Sequence, residues 1–197
     1  LVSLRKKAKK VPELLAAPGK IRLIAGKWRG RKLDVIDSPG LRPTPDRIRE
    51  TLFNWLQQQI VGARCLDLFA GTGALAFEAL SRGATEVVMV ESNPNIIESL
   101  NQHAETLGSE GHIIQLADAI GWMKQGIKGF DIIFLDPPFG QGYIEQCCTI
   151  ISEQSLLNAR GLVYIESEKS LSLPDGWEIR KQTKAGNVQS ALIEPAD

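Results

Sequence analysis

A chain of 197 residues with 43% hydrophobic and 23% charged side chains has the balance of one packed domain carrying a small appendage. No apolar run reaches the length of a membrane span and no leader pattern opens the sequence. Three cysteines (Cys65, Cys147, Cys148) and two histidines (His103, His112) lack metal-ligand or triad spacing, which speaks against a disulfide framework and points to a reducing cytoplasm. The 23 basic and 23 acidic residues cancel, but unevenly. Residues 1–56 hold 14 Lys+Arg against 5 Asp+Glu, and residues 57–197 hold 9 against 18. The N-terminal quarter is therefore the expected face for a polyanion.

Residues 1–20, with RKKAKK at 5–10 and prolines at 12 and 18, are expected to form a flexible basic arm that aids solubility. Alternation over Ile21–Ala25 and a second short run at Leu33–Ile36 predict a β-hairpin within residues 21–40. Its tip carries Lys27, Arg29, Arg31 and Lys32 around Trp28, which suits phosphate contact plus base stacking. Packing of Trp28 back onto the domain is the competing expectation. After a turn at Ser38-Pro39-Gly40, Thr44 is expected to cap a helix with Pro45 at its first position. Ile48, Leu52, Trp55 and Leu56 form the buried stripe of that helix. Arg42, Arg47 and Arg49 face a cleft or pair with Asp46 and Glu50.

From Arg64 onward strand, glycine turn and helix alternate. Strands are predicted at Cys65–Phe69, Glu86–Val90, His112–Leu116, Phe130–Leu135 and Leu162–Ile165. Helices are predicted at Thr72–Ser81, from Asn93-Pro94, around Ile120–Met123 and at Tyr143–Ile151. A closing antiparallel hairpin spans Trp177–Thr183 and Val188–Ile193. The fold class is α/β: a Rossmann-like, doubly wound, mostly parallel seven-stranded sheet with a C-terminal antiparallel hairpin and a small N-terminal β-hairpin extension.

In such a sheet ligands bind outside the carboxyl ends of the strands. Phe69-Ala70-Gly71-Thr72-Gly73 follows the first of these strands, where glycines let backbone approach a ligand and expose helix amides. Glu91, at the end of the next strand, can accept both hydroxyls of a ribose. Asp118, after the third, can take a hydrogen from an adenine amine. Asp67, inside its strand, either faces an ammonium or pins the glycine loop. Gly71–Ala76 also fits the dinucleotide fingerprint of an NAD-type oxidoreductase. Asp67, Asp118 and the stretch Asp136-Pro137-Pro138-Phe139 count against that reading. Two prolines make this stretch a stiff corner with one carboxylate, outward carbonyls and one aromatic face, a shape that fits a planar heterocycle bearing an exocyclic amine.

Together, DLFAGTGALAFEALSRGA (67–84), Glu91, Asp118 and DPPF (136–139) resemble the class I S-adenosylmethionine-dependent methyltransferases of the amino-methylating branch. IRLIAGKWRGRKLDV (21–35) and LRPTPDRIRETLFNWL (41–56) are similar to the RsmD family, which methylates the N2 amine of one guanine in bacterial small-subunit (16S) ribosomal RNA. The likeness runs from about Ile21 to the end. It implies S-adenosyl-L-methionine as cofactor, S-adenosyl-L-homocysteine as product, and a methyltransferase domain over 41–197. It implies cofactor contacts from Thr44, Asp67, Phe69, Gly71, Thr72, Gly73, Glu91, Ser92, Asp118 and Ala119. Asp136 to Phe139 (Asp136, Pro137, Pro138 and Phe139) would hold the target base. Lys27, Trp28, Arg29, Arg31, Lys32 and Arg42 would grip RNA. The expected partner is 16S ribosomal RNA within a small-subunit particle, and the expected protein is a monomer. An adenine-N6 methyltransferase and a non-catalytic RNA-binding factor are the alternatives.

Overall fold

The computed structural model describes residues 19–36, 44–167 and 171–196. The arm up to residue 18, the turn at Ser38-Pro39-Gly40, and Arg42 lie outside the described residues. A two-stranded antiparallel hairpin, β1 (Lys20–Arg22) and β2 (Lys32–Asp34), opens the described chain. Helix α1 (Asp46–Trp55) follows. Then come β3 (Arg64–Asp67), α2 (Ala74–Ser81), β4 (Glu86–Glu91), α3 (Pro94–Leu107), β5 (His112–Leu116), α4 (Ala119–Met123), β6 (Phe130–Leu135), α5 (Tyr143–Glu153) and β7 (Leu157–Ser167). The chain closes with β8 (Trp177–Ala185) and β9 (Val188–Pro195).

Seven strands form one sheet in the order β5-β4-β3-β6-β7-β9-β8, parallel from β5 to β7 and antiparallel through β9 and β8. The chain reverses direction across the sheet between β3 and β6, and a crevice opens at such a switch point. Fully buried runs such as Val87–Val90 and Ile132–Leu135 have helices on both faces, so strand alternation is lost there. One face carries Phe134 and Tyr164, which pack with Phe77 of α2 beneath α1 to α3. The other carries Ile133 and Val163, which pack with Trp122 of α4 beneath α4 and α5.

Several boundaries differ from expectation for local reasons. Strand β3 stops at Asp67, because Leu68 and Phe69 already turn toward the glycine loop, and α2 starts at Ala74 rather than Thr72. Thr44 does not cap α1: Pro45 occupies that position and no side chain caps the helix. Phe53 is fully buried on α1 while Trp55 is only half-buried.

The N-terminal hairpin is fastened to α2 by buried polar groups. The Glu78 carboxylate accepts the amides of Ile24 (2.8 Å) and Ala25 (3.1 Å) and pairs with Arg82 at 2.6 Å. The Ser81 hydroxyl donates to the Ala25 carbonyl and accepts the Trp28 amide, and the Lys27 amide donates to the Ser81 carbonyl. Gly26 has φ +79° and lies so close to the α2 backbone that a Cβ would sit 1.7 Å from the Ser81 carbonyl oxygen. Only glycine fits there. Arg49, fully buried, ties α1 to the same assembly through the Arg22 carbonyl (2.8 Å) and Glu78 (3.7 Å), and is steadied within the helix by Asp46 (2.6 Å).

Candidate active site

Four strand ends meet in the crevice. The loop after β3 is fixed from three sides. Asp67 accepts backbone N–H groups from Phe69 and Ala76, Ala70 N–H donates to the Val90 carbonyl at 3.0 Å, and Gly71 N–H donates to Glu91 Oε2 at 3.1 Å. Gly73 takes φ +77°, and a side chain there would meet Phe77 and Leu100 at 2.6–2.7 Å. Asp67 is 2% exposed, and desolvation pushes its carboxyl up to about 7 against the two backbone donors.

Glu91 ends β4 half-buried. Its Oε1 accepts the amides of Ser92 and Asn93, both at 2.8 Å, so the carboxylate is locked in orientation at the crevice edge. Asn93 caps α3 by accepting the Asn95 amide. Asp118 caps α4: its Oδ1 accepts Gly121 N–H at 2.8 Å, and the residue is exposed beside buried Ala119. Thr72 is buried next to Gly71.

The corner after β6 sits opposite this loop. Pro137 is buried, Pro138 exposed, and Asp136 and Phe139 half-buried. The Asp136 carboxyl is held well above the usual carboxylate range, first by desolvation and then by the charges of Glu166 and Asp67. Thr44, whose hydroxyl donates to Asp136 Oδ2 at 3.3 Å, is the opposing contribution. The expected helix cap is therefore spent on the strand corner, which joins the segment before α1 to the site. The Phe69 ring meets Tyr143 edge-on at 5.3 Å, linking the glycine loop to the start of α5. A cavity of about 300 Å³ lies nearby, lined by Pro45, Arg47, Ile48 and residues 185–188.

The basic cluster does not join this constellation. Lys27, Arg29, Arg31 and Lys32 are exposed, but they lie near the C-terminal ends of α2 and α3, with Arg31 donating to the Thr106 carbonyl at 2.9 Å. Trp28 is 6% exposed and belongs to the core, so it offers no stacking face. Its indole is large enough that burial on α2 outweighs exposure at the tip. A larger cavity of about 640 Å³ runs between the hairpin and α1 and includes Arg22, Arg29, Arg82 and Asn54.

Two residues at this site escaped sequence reasoning. Glu166, 4% exposed, and Tyr164, fully buried, stand at the carboxyl end of β7 beside Asp136. Both occupy an apolar-looking strand, LVYIES, whose polar members become a site only through pairing with β6.

Comparison with known proteins gives a consistent picture. A family model described as conserved hypothetical protein 95 matches residues 21–194. Ribosomal RNA small subunit methyltransferase D of Escherichia coli is 42% identical over 179 residues, covering 89% of this chain and 90% of its own. The protein of the same name from Haemophilus influenzae is 42% identical over 184 residues, covering 90% and 95%. A solved structure of a putative methyltransferase from Escherichia coli superposes with a TM-score of 0.83 at 41% identity, covering 90% of this chain and 98% of that one. None of these relatives supports the dinucleotide-dependent oxidoreductase reading of Gly71–Ala76.

Proposed function

This chain belongs to the RsmD family of methyltransferases, and we propose from that premise that it methylates the exocyclic N2 amine of a guanine in 16S ribosomal RNA, using S-adenosyl-L-methionine. The substrate is the RNA within a small-subunit particle, and the enzyme acts as a cytoplasmic monomer. Among the described residues no helix is long and apolar enough to cross a membrane.

The residues present fit the cofactor. Glu91 offers carboxylate oxygens where ribose hydroxyls need acceptors, and exposed Asp118 offers one to an adenine amine. Ser92, Ala119 and Thr72 flank these groups. Phe69, Gly71 and Gly73 shape the wall toward the methionine end, Asp67 lends charge to its ammonium, and Thr44 closes that end. When bound, S-adenosyl-L-methionine supplies a sulfonium methyl carbon: the nitrogen–carbon bond forms as the carbon–sulfur pair returns to sulfur, leaving S-adenosyl-L-homocysteine and one surplus amine proton.

The observation that carries the reading is the strand corner itself. Guanine N2 is a poor nucleophile, because its lone pair is delocalised into the ring. Hydrogen bonds from the amine to Asp136 and to the Pro137 carbonyl localise that pair and stabilise the charge developing on nitrogen. Pro137 and Pro138 keep these acceptors rigid, and Phe139 stacks the unstacked base. An Asp136 carboxyl raised above the ordinary carboxylate range is also a better proton acceptor than a normal one. Lys27, Arg29, Arg31, Lys32 and Arg42 contact phosphates.

Labelled S-adenosyl-L-methionine and unmodified small-subunit particles test this, with the product nucleoside identified by mass spectrometry. The expected product is N2-methylguanosine. Asp136→Ala should abolish transfer while cofactor affinity changes little. A methyl group on another nucleobase, or unimpaired turnover by D136A, would overturn the proposal.

A further inference from the structure

Beside the proline corner the fold leaves a cavity that the chemistry of transfer does not use. Strand β9 runs antiparallel to β7, with Glu166 opposite Ser190 and Ser167 opposite Gln189. Val188, the first residue of β9, therefore lies past the carboxyl end of β7. The turn at residues 185–188 stands at the same sheet edge as Asp136, which follows Leu135, the partner of Ile165. Alternate residues of a strand share a face. Val188 thus points the same way as Ser190, and with Ala185 it packs on the core cluster that lies beneath α1.

The opposite wall comes from the start of α1. The Thr44 hydroxyl donates to Asp136 Oδ2 at 3.3 Å. Pro45, the next residue, already lines the cavity together with Ile48. The cavity therefore begins one residue, about 3.8 Å of backbone, from the residue that touches the catalytic carboxyl. Its volume of about 300 Å³ is at the small end of the range for sites that enclose one small molecule. Pro45, Ile48, Ala185 and Val188 make apolar walls, and two polar side chains, Arg47 and Asn187, stand exposed on the rim. Asp46, the acid beside Arg47, is taken by Arg49 at 2.6 Å and Arg22 at 3.7 Å.

This combination suits a nucleotide. Apolar walls pack on the face of a base, an amide both donates to and accepts from a base edge, and a guanidinium holds a phosphate. A target base drawn out of its stack leaves its neighbours unstacked, and an RNA strand advances at least about 3.4 Å per nucleotide, close to the one-residue step between Thr44 and Pro45. Resting on the methyltransferase reading above, we propose that the cavity seats the base adjacent to the target guanine in the RNA chain. Its face lies against Pro45 and Val188, its edge meets the Asn187 amide, and the linking phosphate meets Arg47. Asn187 is then a specificity-determining residue for the flanking nucleotide, and filling the cavity offsets part of the cost of unstacking the target.

The test is single-turnover transfer to unmodified small-subunit particles whose RNA carries the natural base, each other base or an abasic sugar on either side of the methylated guanine. S-adenosyl-L-homocysteine binding is measured for each protein as a check on folding. The wild type should discriminate among bases at one flanking position by roughly 5- to 150-fold, the range of one bidentate base contact. Asn187→Ala should abolish that discrimination with S-adenosyl-L-homocysteine affinity unchanged. Asn187→Asp, which only accepts, should move the preference toward bases that present an amine. Arg47→Gln should weaken binding of all the RNAs alike and lower the salt slope by about 0.7, as for one phosphate of a single strand. A wild type indifferent to both flanking positions, full-rate transfer beside abasic sugars, or an N187A preference identical to wild type would overturn the assignment. If the wild type made no N2-methylguanosine, or D136A transferred methyl normally, the underlying reading would fail instead; if D136A were dead while N187A, N187D and R47Q matched wild type at every flanking base, only the role of the cavity would fall.

Discussion

Asp67 couples two demands at one carboxyl. It must hold the glycine loop by accepting amides of Phe69 and Ala76, yet burial holds its titration near 7. A cation docking beside it favours the ionised form, so binding should release a proton when the pH lies near or below that value. The affinity for S-adenosyl-L-homocysteine, which keeps the ammonium, is accordingly expected to rise between about pH 6 and 8, and Asp67→Asn should flatten that rise. Calorimetry in buffers of different ionisation enthalpy reads the proton directly; a pH-independent affinity in the wild type would remove Asp67 from the ammonium site. Glu91, Asp118 and Asp136 were legible in the sequence because each follows a predicted strand within two residues, and strand ends are where such sheets bind ligands. Thr44, as a partner of Asp136, and Tyr164 and Glu166 were not. Their chemistry depends on partners 92 residues away in the case of Thr44 and Asp136, and on a register that only the assembled sheet defines. Trp28 illustrates the same limit: flanked by cations it reads as a surface aromatic, and only packing on α2 buries it.

At the level of elements, every strand and helix of the alternating region was visible from apolar runs, glycine turns and the Asn93-Pro94 start. The ends of β3 and α2 were not, because the turn between them is dictated by amide bonds to Asp67, Glu91 and Val90 rather than by local propensity. The hairpin of β1 and β2 was legible as a hairpin but not as a fixed part of the body. Its attachment comes from Glu78, Ser81 and Arg49, residues that a helical pattern would put on an ordinary charged face. This attachment yields an expectation about RNA affinity. Replacing Lys27, Arg29 and Lys32 by glutamine should weaken RNA binding and lower the dependence of log affinity on log salt by about 0.7–0.9 for each phosphate no longer neutralised. Cofactor binding should be untouched. An unchanged slope in filter-binding titrations would show that these cations do not meet phosphate.

Across the whole molecule, three carboxyls, buried Asp67 and Glu166 and half-buried Asp136, are raised above their ordinary values. A carboxyl whose folded value is raised binds more protons in the folded chain than in the unfolded one. Its contribution to stability is full below the unfolded value of about 4 and is lost as pH climbs through the folded value. For Asp67 that window closes near 7. His103, held below 6.5 by burial, acts in the opposite sense only toward the acid side of that value. The ligand-free protein should therefore melt at a lower temperature at about pH 8 than at about pH 6.5, and Glu166→Gln should narrow the difference. Melting curves that rise toward the alkaline side in the wild type would contradict this.

The hairpin turn and the proline corner stand at opposite ends of α2, an eight-residue helix about 12 Å long. Because buried bonds fasten the hairpin to α2, the separation between the two places is set by that helix. A strand advancing at least about 3.4 Å per nucleotide needs only a few nucleotides to bridge it. On the proposed reading, the helix length therefore sets the shortest target that could touch both the hairpin and the corner.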